Sequence, residues 1–326
     1  MKAIGGYFSL ELSIKRADYI HERGIHLNSG RNALEYILKS ISDIQCLWIP
    51  YYTCDVVLEP LKKLDISYRF YSVNENLELA VPLELHDGEY LLVTNYFGIK
   101  DAYIKQLSTQ YGERLIVDNA QAFFAEPIEV IKSVYSPRKF VGIPDGGIAY
   151  MEKRLDISRL EQDVSYRRCS HLLKRLDLGA EAGYADFREN SHQLVNQPVK
   201  RMSNLTWNFL QSIDFNSVKE LRRENFKRLH DALKGINRLG LPDMDTFACP
   251  MVYPFYTLDT TLKKRLINNK IFVATYWPNV LEWCNEGELE YELCKNIIPI
   301  PIDQRYGEEE MKRIINLITN GTNSII

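Results

Sequence analysis

The sequence is poor in the residues that build metal centres and disulfide frameworks. It has only six cysteines and six histidines, and none of the cysteines form a C-x-x-C pair. Clustered thiols and imidazoles are the usual zinc ligands, and scattered ones are not. We therefore expect no metal site, and we expect the cysteines to be reduced, packed thiols.

Long hydrophobic runs and an excess of one charge are also missing. No apolar run approaches the roughly 18 to 20 residues of a transmembrane helix, and residues 1–6 lack the apolar centre of a signal peptide. Forty basic against 43 acidic side chains give a formal net charge of −3, which argues against nucleic acid as the main partner. The sequence thus predicts a cytoplasmic protein that binds neither membranes nor nucleic acids.

Strand-like and helix-like patterns alternate along the first 150 residues. Helical patterns lie at about 33–41, 56–64 and 102–111, between strand patterns at 46–50, 66–73, 90–98, 114–118, 128–134 and 148–151. Short connections between such segments predict a three-layer α/β fold, in which a mostly parallel sheet has helices on both faces.

The character of the chain changes beyond Tyr150. Residues 152–176 are charged and are predicted to be helical, and 179–196 are predicted to be a mobile loop or crossover. A long helix is expected from about 203 to 233, with a break at 214–216. The last part predicts strands at 251–258, 271–276 and 297–300 and helices at 261–268 and 308–318. We expect a large α/β domain (1–200) and a second domain (201–326) with the long helix and a small α+β unit, with a cleft between them.

Polar clusters follow several of the predicted elements on the first sheet. Ligands of parallel sheets bind at the carboxyl ends of the strands, and four clusters fall on that edge: residues 28–32, 53–55, 95–98 and 118–121. The first cluster lies at the start of a helix. Its free N–H groups are suited to bind a phosphate, and the alternative is that Asn28 or Ser29 is a plain N-cap. In the last, Asp118 either caps the next turn or holds a protonated heteroaromatic nitrogen.

A lysine stands in a turn that proline and glycine punctuate. Lys139 follows Pro137 and Arg138 and precedes Gly142, between two strand patterns. Because this backbone cannot continue as a helix, we expect the lysine to be positioned rather than solvated. The alternative is a surface loop with an ordinary Arg-Lys pair.

These signals occur together in the order typical of one family. The chain resembles the DegT/StrS-type sugar aminotransferases, which are fold-type I pyridoxal-phosphate enzymes. The resemblance starts at about residue 27 and rests on the motifs Ser29-Gly30-Arg31-Asn32-Ala33-Leu34, Pro50-Tyr51-Tyr52-Thr53, Asn95-Tyr96-Phe97-Gly98, Asp118-Asn119-Ala120-Gln121-Ala122, the segment from Ser133 to Asp145-Gly146-Gly147, and Arg201-Met202-Ser203.

The resemblance implies a role for each of these site residues. Lys139 would be the amine that binds pyridoxal 5'-phosphate covalently, Asp118 would pair with the pyridine nitrogen, and Gln121 would lie near the ring. Cys54 stands where the family commonly has an aromatic residue that stacks on the ring, and so belongs to the predicted cofactor site.

The phosphate group has its own predicted set of ligands. By resemblance, they are Ser29, Gly30, Arg31, Asn32 and Ser133. The family completes its active site with a neighbouring subunit, so the resemblance also implies a homodimer, in which Asn196 would reach the partner's phosphate.

The reaction implied is transamination, in which an amino donor, typically glutamate, gives its nitrogen to a nucleotide-linked keto sugar. Such reactions serve surface-polysaccharide or secondary-metabolite synthesis. When the loop is aligned from Ser133 without gaps, however, the family's lysine position falls on Arg138, and an arginine cannot serve as the amine. A catalytically altered relative, such as a sugar dehydratase, and a non-catalytic regulator or scaffold are the alternatives.

Overall fold

A mostly parallel sheet forms the centre of the molecule. The computed structural model describes residues 9–13 and 19–322. The strands are β1 (Ile25–Leu27), β2 (Cys46–Pro50), β3 (Ser67–Tyr71), β4 (Glu89–Thr94), β5 (Leu115–Asn119), β6 (Lys132–Tyr135) and β7 (Gly147–Tyr150), and their order across the sheet is β1-β7-β6-β5-β4-β2-β3. Only β7 is antiparallel to its neighbours. The predicted α/β sheet is confirmed.

Burial on both faces of the sheet explains the apolar composition of its strands. All six residues of β4 are buried. Leu91 and Val93 belong to the hydrophobic cluster on one face, whereas Tyr90 and Leu92 belong to the cluster on the other. A strand that is covered on both sides must be apolar throughout, as parallel strands in three-layer folds are.

Eleven α-helices surround this sheet and a smaller one in the described part of the chain. They are α1 (Gly30–Ser40), α2 (Leu58–Lys63), α3 (Asp101–Tyr111), α4 (Ser170–Leu178), α5 (Tyr184–Gln193), α6 (Asn204–Ser212), α7 (Phe215–Leu233), α8 (Leu262–Asn268), α9 (Val280–Trp283), α10 (Leu289–Asn296) and α11 (Glu308–Thr322). A search of the described residues finds no helix with the length and apolarity needed to span a bilayer.

The smaller sheet pairs β8 (Val252–Tyr256) with β9 (Ile297–Pro301) in antiparallel register.

The predicted break in the long helix is confirmed. It separates α6 from α7, because Asp214 caps α7 by accepting a hydrogen bond from the Ser217 N–H at 2.9 Å. A capping side chain at this point satisfies a free donor of the new helix.

Three segments differ from the sequence prediction. Residues 152–169, predicted to be helical, are irregular apart from two short turns, and 271–276 form no strand. Residues 179–196, predicted to be a loop, contain α5, where the Asn190 side chain donates to the Pro144 carbonyl at 2.6 Å. In the first segment, Asp163 donates its N–H to the Arg201 carbonyl at 3.0 Å. Such long-range contacts override local propensity.

The Asp145-Gly146-Gly147 motif joins the turn that contains Lys139 to the start of α1. We call this turn, residues 136–142, the lysine turn. The Asp145 carboxylate is fully buried and accepts hydrogen bonds from Arg168 at 2.6 and 3.1 Å. Gly146 has a φ of +114°, which favours glycine. A Cβ at Gly147 would lie 2.0 Å from the Ser29 carbonyl oxygen. The motif therefore holds two backbone segments closer than any side chain would allow.

We predict that Gly147→Ala destabilises the protein by about 1–3 kcal/mol, because the added methyl group must push two rigid backbone segments apart. Gly235→Ala is the matched control, since a Cβ there meets nothing within 4 Å, and its effect should stay within about 0.5 kcal/mol. Chemical denaturation of both variants measures the difference. Equal effects at the two positions would contradict the close approach.

Candidate active site

A cavity of about 490 Å³ opens at the carboxyl edge of the large sheet. Its wall combines the start of α1, the end of β5, the lysine turn and residues near the smaller sheet. Seven residues that the sequence analysis selected line it together: Ser29, Gly30, Arg31, Cys54, Asp118, Gln121 and Lys139. The topology thus brings distant motifs to one place.

The start of α1 forms one end of this cavity. Ser29 caps the helix, and its Oγ accepts a hydrogen bond from the Asn32 N–H at 3.2 Å. A Cβ at Gly30 would lie 3.6 Å from Ser136 Oγ, so the Ser136 hydroxyl stands directly beside the first turn. The first N–H groups of a helix lack intrahelical acceptors and carry a positive partial charge, which suits an anion.

Asp118 and Lys139 belong to another part of the cavity. Asp118 ends β5 half-buried, and its carboxylate accepts a hydrogen bond from the Ala120 N–H at 2.8 Å. Burial raises the pKa of Asp118, and the positive charge of Lys139 opposes this shift. The same lysine charge acts on Cys54, whose thiol pKa burial raises to about 11. Asp118, Cys54 and Lys139 all line the same cavity.

The lysine side chain is exposed, which differs from the prediction that it is shielded from solvent. It lines the open cavity rather than a closed core. Among the described residues, its ammonium group has no partner in a hydrogen bond or salt bridge. An amine without a competing partner is available to a ligand in the cavity.

Arg138 points to a different region from Lys139. Its Nη2 donates to Ser191 Oγ at 3.2 Å, and its guanidinium lies 5.4 Å from the centre of the Phe187 ring, on α5. The two basic residues share the short helical turn Pro137–Lys139. Both residues line the cavity, and the guanidinium is held against α5.

Gln121 supplies a polar atom that lacks a protein partner. Its Oε1 accepts a hydrogen bond from the Phe97 N–H at 2.8 Å, whereas its buried Nε2 finds no acceptor among the described residues. Buried polar atoms without partners are rare in folded proteins. Since Gln121 lines the cavity, a bound ligand is a natural acceptor for this amide.

Three predicted cofactor ligands lie outside the cavity wall. Ser133 is buried in β6 and lines a different cavity, whereas Ser136, which directly follows this strand, lines the wall. Asn32 uses its side chain to donate to the Gln197 carbonyl at 2.9 Å. Asn196 is exposed on the surface, and its role towards a partner subunit stays a prediction.

The sequence analysis missed the residues that close the cavity from the second half of the chain. Met251, Tyr276 and Trp277 line the wall. Burial raises the pKa of Tyr276 to about 12, so its hydroxyl stays protonated at neutral pH. The adjacent aromatic residues Tyr276 and Trp277 were the signal available in the sequence, but residues 271–276 were predicted to be a strand.

Arg222 of α7 ties the lysine turn to the smaller sheet. Its guanidinium is 2% exposed and donates to the Phe140 carbonyl at 3.0 Å, to the Met251 carbonyl at 2.9 Å and to Gln304 Oε1 at 3.0 Å. Gln304 Nε2 donates to the same Phe140 carbonyl at 2.9 Å. The backbone that follows Lys139 is thus fixed by two donors from the later part of the chain.

No family model and no curated protein matches the sequence, but solved structures match its fold. DesV of S. venezuelae, in complex with a ketimine intermediate, has a TM-score of 0.63 at 16% identity, over 90% of this chain and 83% of that chain. The putative sugar aminotransferase Spr1654 of Streptococcus pneumoniae, in its PMP form, has a TM-score of 0.64 at 14% identity, over 96% and 91% of the two chains.

The chain has the fold of the sugar aminotransferases of the DegT/StrS type. This fold is shared by a sugar enzyme of a different reaction, the GDP-4-keto-6-deoxy-D-mannose-3-dehydratase of E. coli with bound hydrated PLP. It has a TM-score of 0.61 at 14% identity, over 92% of this chain and 88% of that chain. The fold expected from the sequence motifs is confirmed, and the choice between reactions depends on the residues of the cavity.

We predict that Arg222→Met destabilises the protein by about 2–4 kcal/mol, because it removes charge-assisted hydrogen bonds and leaves the Met251 carbonyl without this donor. Arg228→Met removes a half-exposed arginine of the same helix, paired with Glu308 at 3.1 Å, and should cost less than about 0.5 kcal/mol. Denaturant titration of both variants tests this. A loss of stability in Arg222→Met no larger than that in Arg228→Met would show that the hydrogen bonds of Arg222 do not stabilise the fold.

Proposed function

We propose that the protein is a pyridoxal-phosphate-dependent aminotransferase that acts on a keto sugar carried by a nucleotide, with glutamate as the amino donor. The observation that carries the proposal is that Lys139 and Asp118 line one cavity, while the guanidinium of Arg138 contacts Ser191 and Phe187 of α5. A free amine and a buried carboxylate are the two groups that a pyridoxal cofactor requires of its protein.

The residues of the cavity fit this cofactor. Asp118 would hold the protonated ring nitrogen, because an ion pair is stronger where water is excluded. Gln121 would donate its unpartnered amide to the ring substituents, and the start of α1 would face the phosphate. When bound, pyridoxal phosphate supplies an electron sink that lets a proton leave the carbon of the substrate next to nitrogen.

Lys139 would have two tasks in this site. Its amine would first hold the cofactor covalently, and once released by the amino substrate it would take a proton from one position and return it at another. Cys54, near the same amine, keeps its thiol protonated because burial raises its pKa to about 11. It therefore does not compete as a nucleophile at neutral pH.

The two alternative functions both depend on an arginine in place of the amine. The contacts of Arg138 with Ser191 and Phe187 speak against this arrangement. A dehydratase-like relative or a regulator would not need Lys139 beside Asp118. The proposed roles of a homodimer and of Asn196 rest on the family resemblance.

Borohydride reduction tests the proposal directly. We expect the purified protein with pyridoxal phosphate to absorb visible light and, after reduction, to carry the label on the peptide that contains Lys139, as mass spectrometry would show. Lys139→Ala should lose at least about nine-tenths of the label, since no other lysine among the described residues lines the cavity. Lys153→Ala, a change at an exposed lysine, should retain it.

The amino donor is tested on the loaded protein without any sugar. One equivalent of 2-oxoglutarate should form from glutamate per labelled site, and this product should be absent with Lys139→Ala. Cofactor binding without a label would indicate the dehydratase-like alternative. No binding at saturating pyridoxal phosphate would indicate the regulator or scaffold.

A further inference from the structure

Arg138 is a cation without a carboxylate partner in its part of the cavity. Within the described residues it forms no salt bridge, and its one hydrogen bond goes to the neutral Ser191 hydroxyl at 3.2 Å. Asp145 is the carboxylate that acts on it, but Asp145 already accepts hydrogen bonds from Arg168. A largely buried cation without a close counterion is unfavourable. Arg138 is therefore a candidate for binding an anion.

A second arginine increases this positive charge. Burial lowers the pKa of Arg138, and the charge of Arg31 adds to this effect, whereas Asp145 opposes it. Both arginines line the cavity, and only Arg31 has a carboxylate partner, Glu59 at 2.7 Å. Like charges are brought together in this way where a ligand supplies the opposite charge.

The neighbouring groups are donors that suit a phosphate. Ser136 Oγ lies beside the first turn of α1, and Ser136 and Arg138 both belong to the lysine turn. The guanidinium has a planar fork of N–H groups that matches phosphate oxygens, and a helix start adds backbone donors. The Ser136 hydroxyl thus meets the helix start, and Arg138, two residues after Ser136, lines the same cavity.

The charges of the cavity also fix which end of a ligand lies here. Asp118 interacts with Lys139, whereas Arg138 interacts with Arg31 and Asp145. A ligand with a cationic ring nitrogen and an anionic phosphate would lie with its nitrogen at Asp118 and its phosphate at the arginines.

We propose that Arg138, together with Ser136, binds the phosphate of the cofactor within the same chain, so that the residue preceding the lysine supplies the charge that holds this group. The proposal rests on the proposed function and extends it. It replaces the predicted ligand Ser133, and it gives Arg138 a task that its position in the loop alone did not suggest.

Binding measurements separate this role from a structural one. Arg138→Met should weaken the binding of pyridoxal phosphate about tenfold to hundredfold, because it removes charge-assisted hydrogen bonds to phosphate. Binding of pyridoxal, which lacks the phosphate, should change less than about twofold. Equilibrium dialysis or quenching of the fluorescence of Trp277, in the cavity wall, measures both ligands without any turnover.

Thermal unfolding adds a second readout. Inorganic phosphate should raise the melting temperature of the unmodified protein but not that of Arg138→Met. Without ligand, Arg138→Met should be as stable as the unmodified protein or more so, since an unpaired cation is removed. Arg167→Met removes an exposed arginine that is not among the residues lining the cavity and should leave every value unchanged. Arg138→Lys should give intermediate affinity, because it keeps the charge but loses the fork.

Each contrary outcome has a distinct meaning. If Arg138→Met keeps the original ratio of pyridoxal phosphate to pyridoxal affinity, Arg138 does not bind the phosphate. A variant that loses affinity only for glutamate would assign Arg138 to the carboxylate of the amino donor and overturn the proposal. If the unmodified protein binds no pyridoxal phosphate, the proposed function fails, and phosphate stabilisation that depends on Arg138 would still support the anion site.

Discussion

A single backbone carbonyl links the two halves of the cavity. The Phe140 oxygen, next to Lys139, accepts hydrogen bonds from Arg222 and from Gln304, which lie on α7 and after β9. Both donors are held in turn, since the Arg222 guanidinium donates to Gln304 Oε1 and the ring of Phe140 lies 4.7 Å from the guanidinium. The position of the amine therefore depends on packing between elements far apart in sequence, and not on the loop alone.

The opposite end of the cavity is fixed by backbone as well. Ser29 and Gly147 approach so closely that only glycine fits, and the Gly146 N–H donates to the Asn28 carbonyl at 3.0 Å. The start of α1 and the lysine turn are thus fastened to each other at one side, and the turn is fastened to α7 at the other. Because backbone contacts hold the two ends of the cavity, the side chains of its wall can differ between proteins while the distance between these ends is kept. This is compatible with 14–16% identity to structures of the same fold.

The sequence was sufficient to predict the sheet, the broken long helix and the part of the cavity wall formed by the first 140 residues, because these depend on periodicity and on glycine, aspartate and serine at turns. It was not sufficient for α5 or for the position of Ser136. The helical state of residues 184–193 is supported by Asn190 bonding to the Pro144 carbonyl, a contact between distant segments. Ser133 lies within the strand pattern at 128–134 and Ser136 lies just beyond it, and only the point where the strand ends decides which hydroxyl reaches the cavity.

The same limitation explains the ambiguity between the arginine and the lysine of the turn. An ungapped alignment places side chains by counting, whereas a short helical turn rotates them by about 120° per residue, as in 3₁₀ helices with three residues per turn. Consecutive residues in such a turn point in different directions, so Arg138 can face α5 while Lys139 faces Asp118. A shift of one residue in such a turn therefore changes the direction of a side chain, which counting along an ungapped alignment does not take into account.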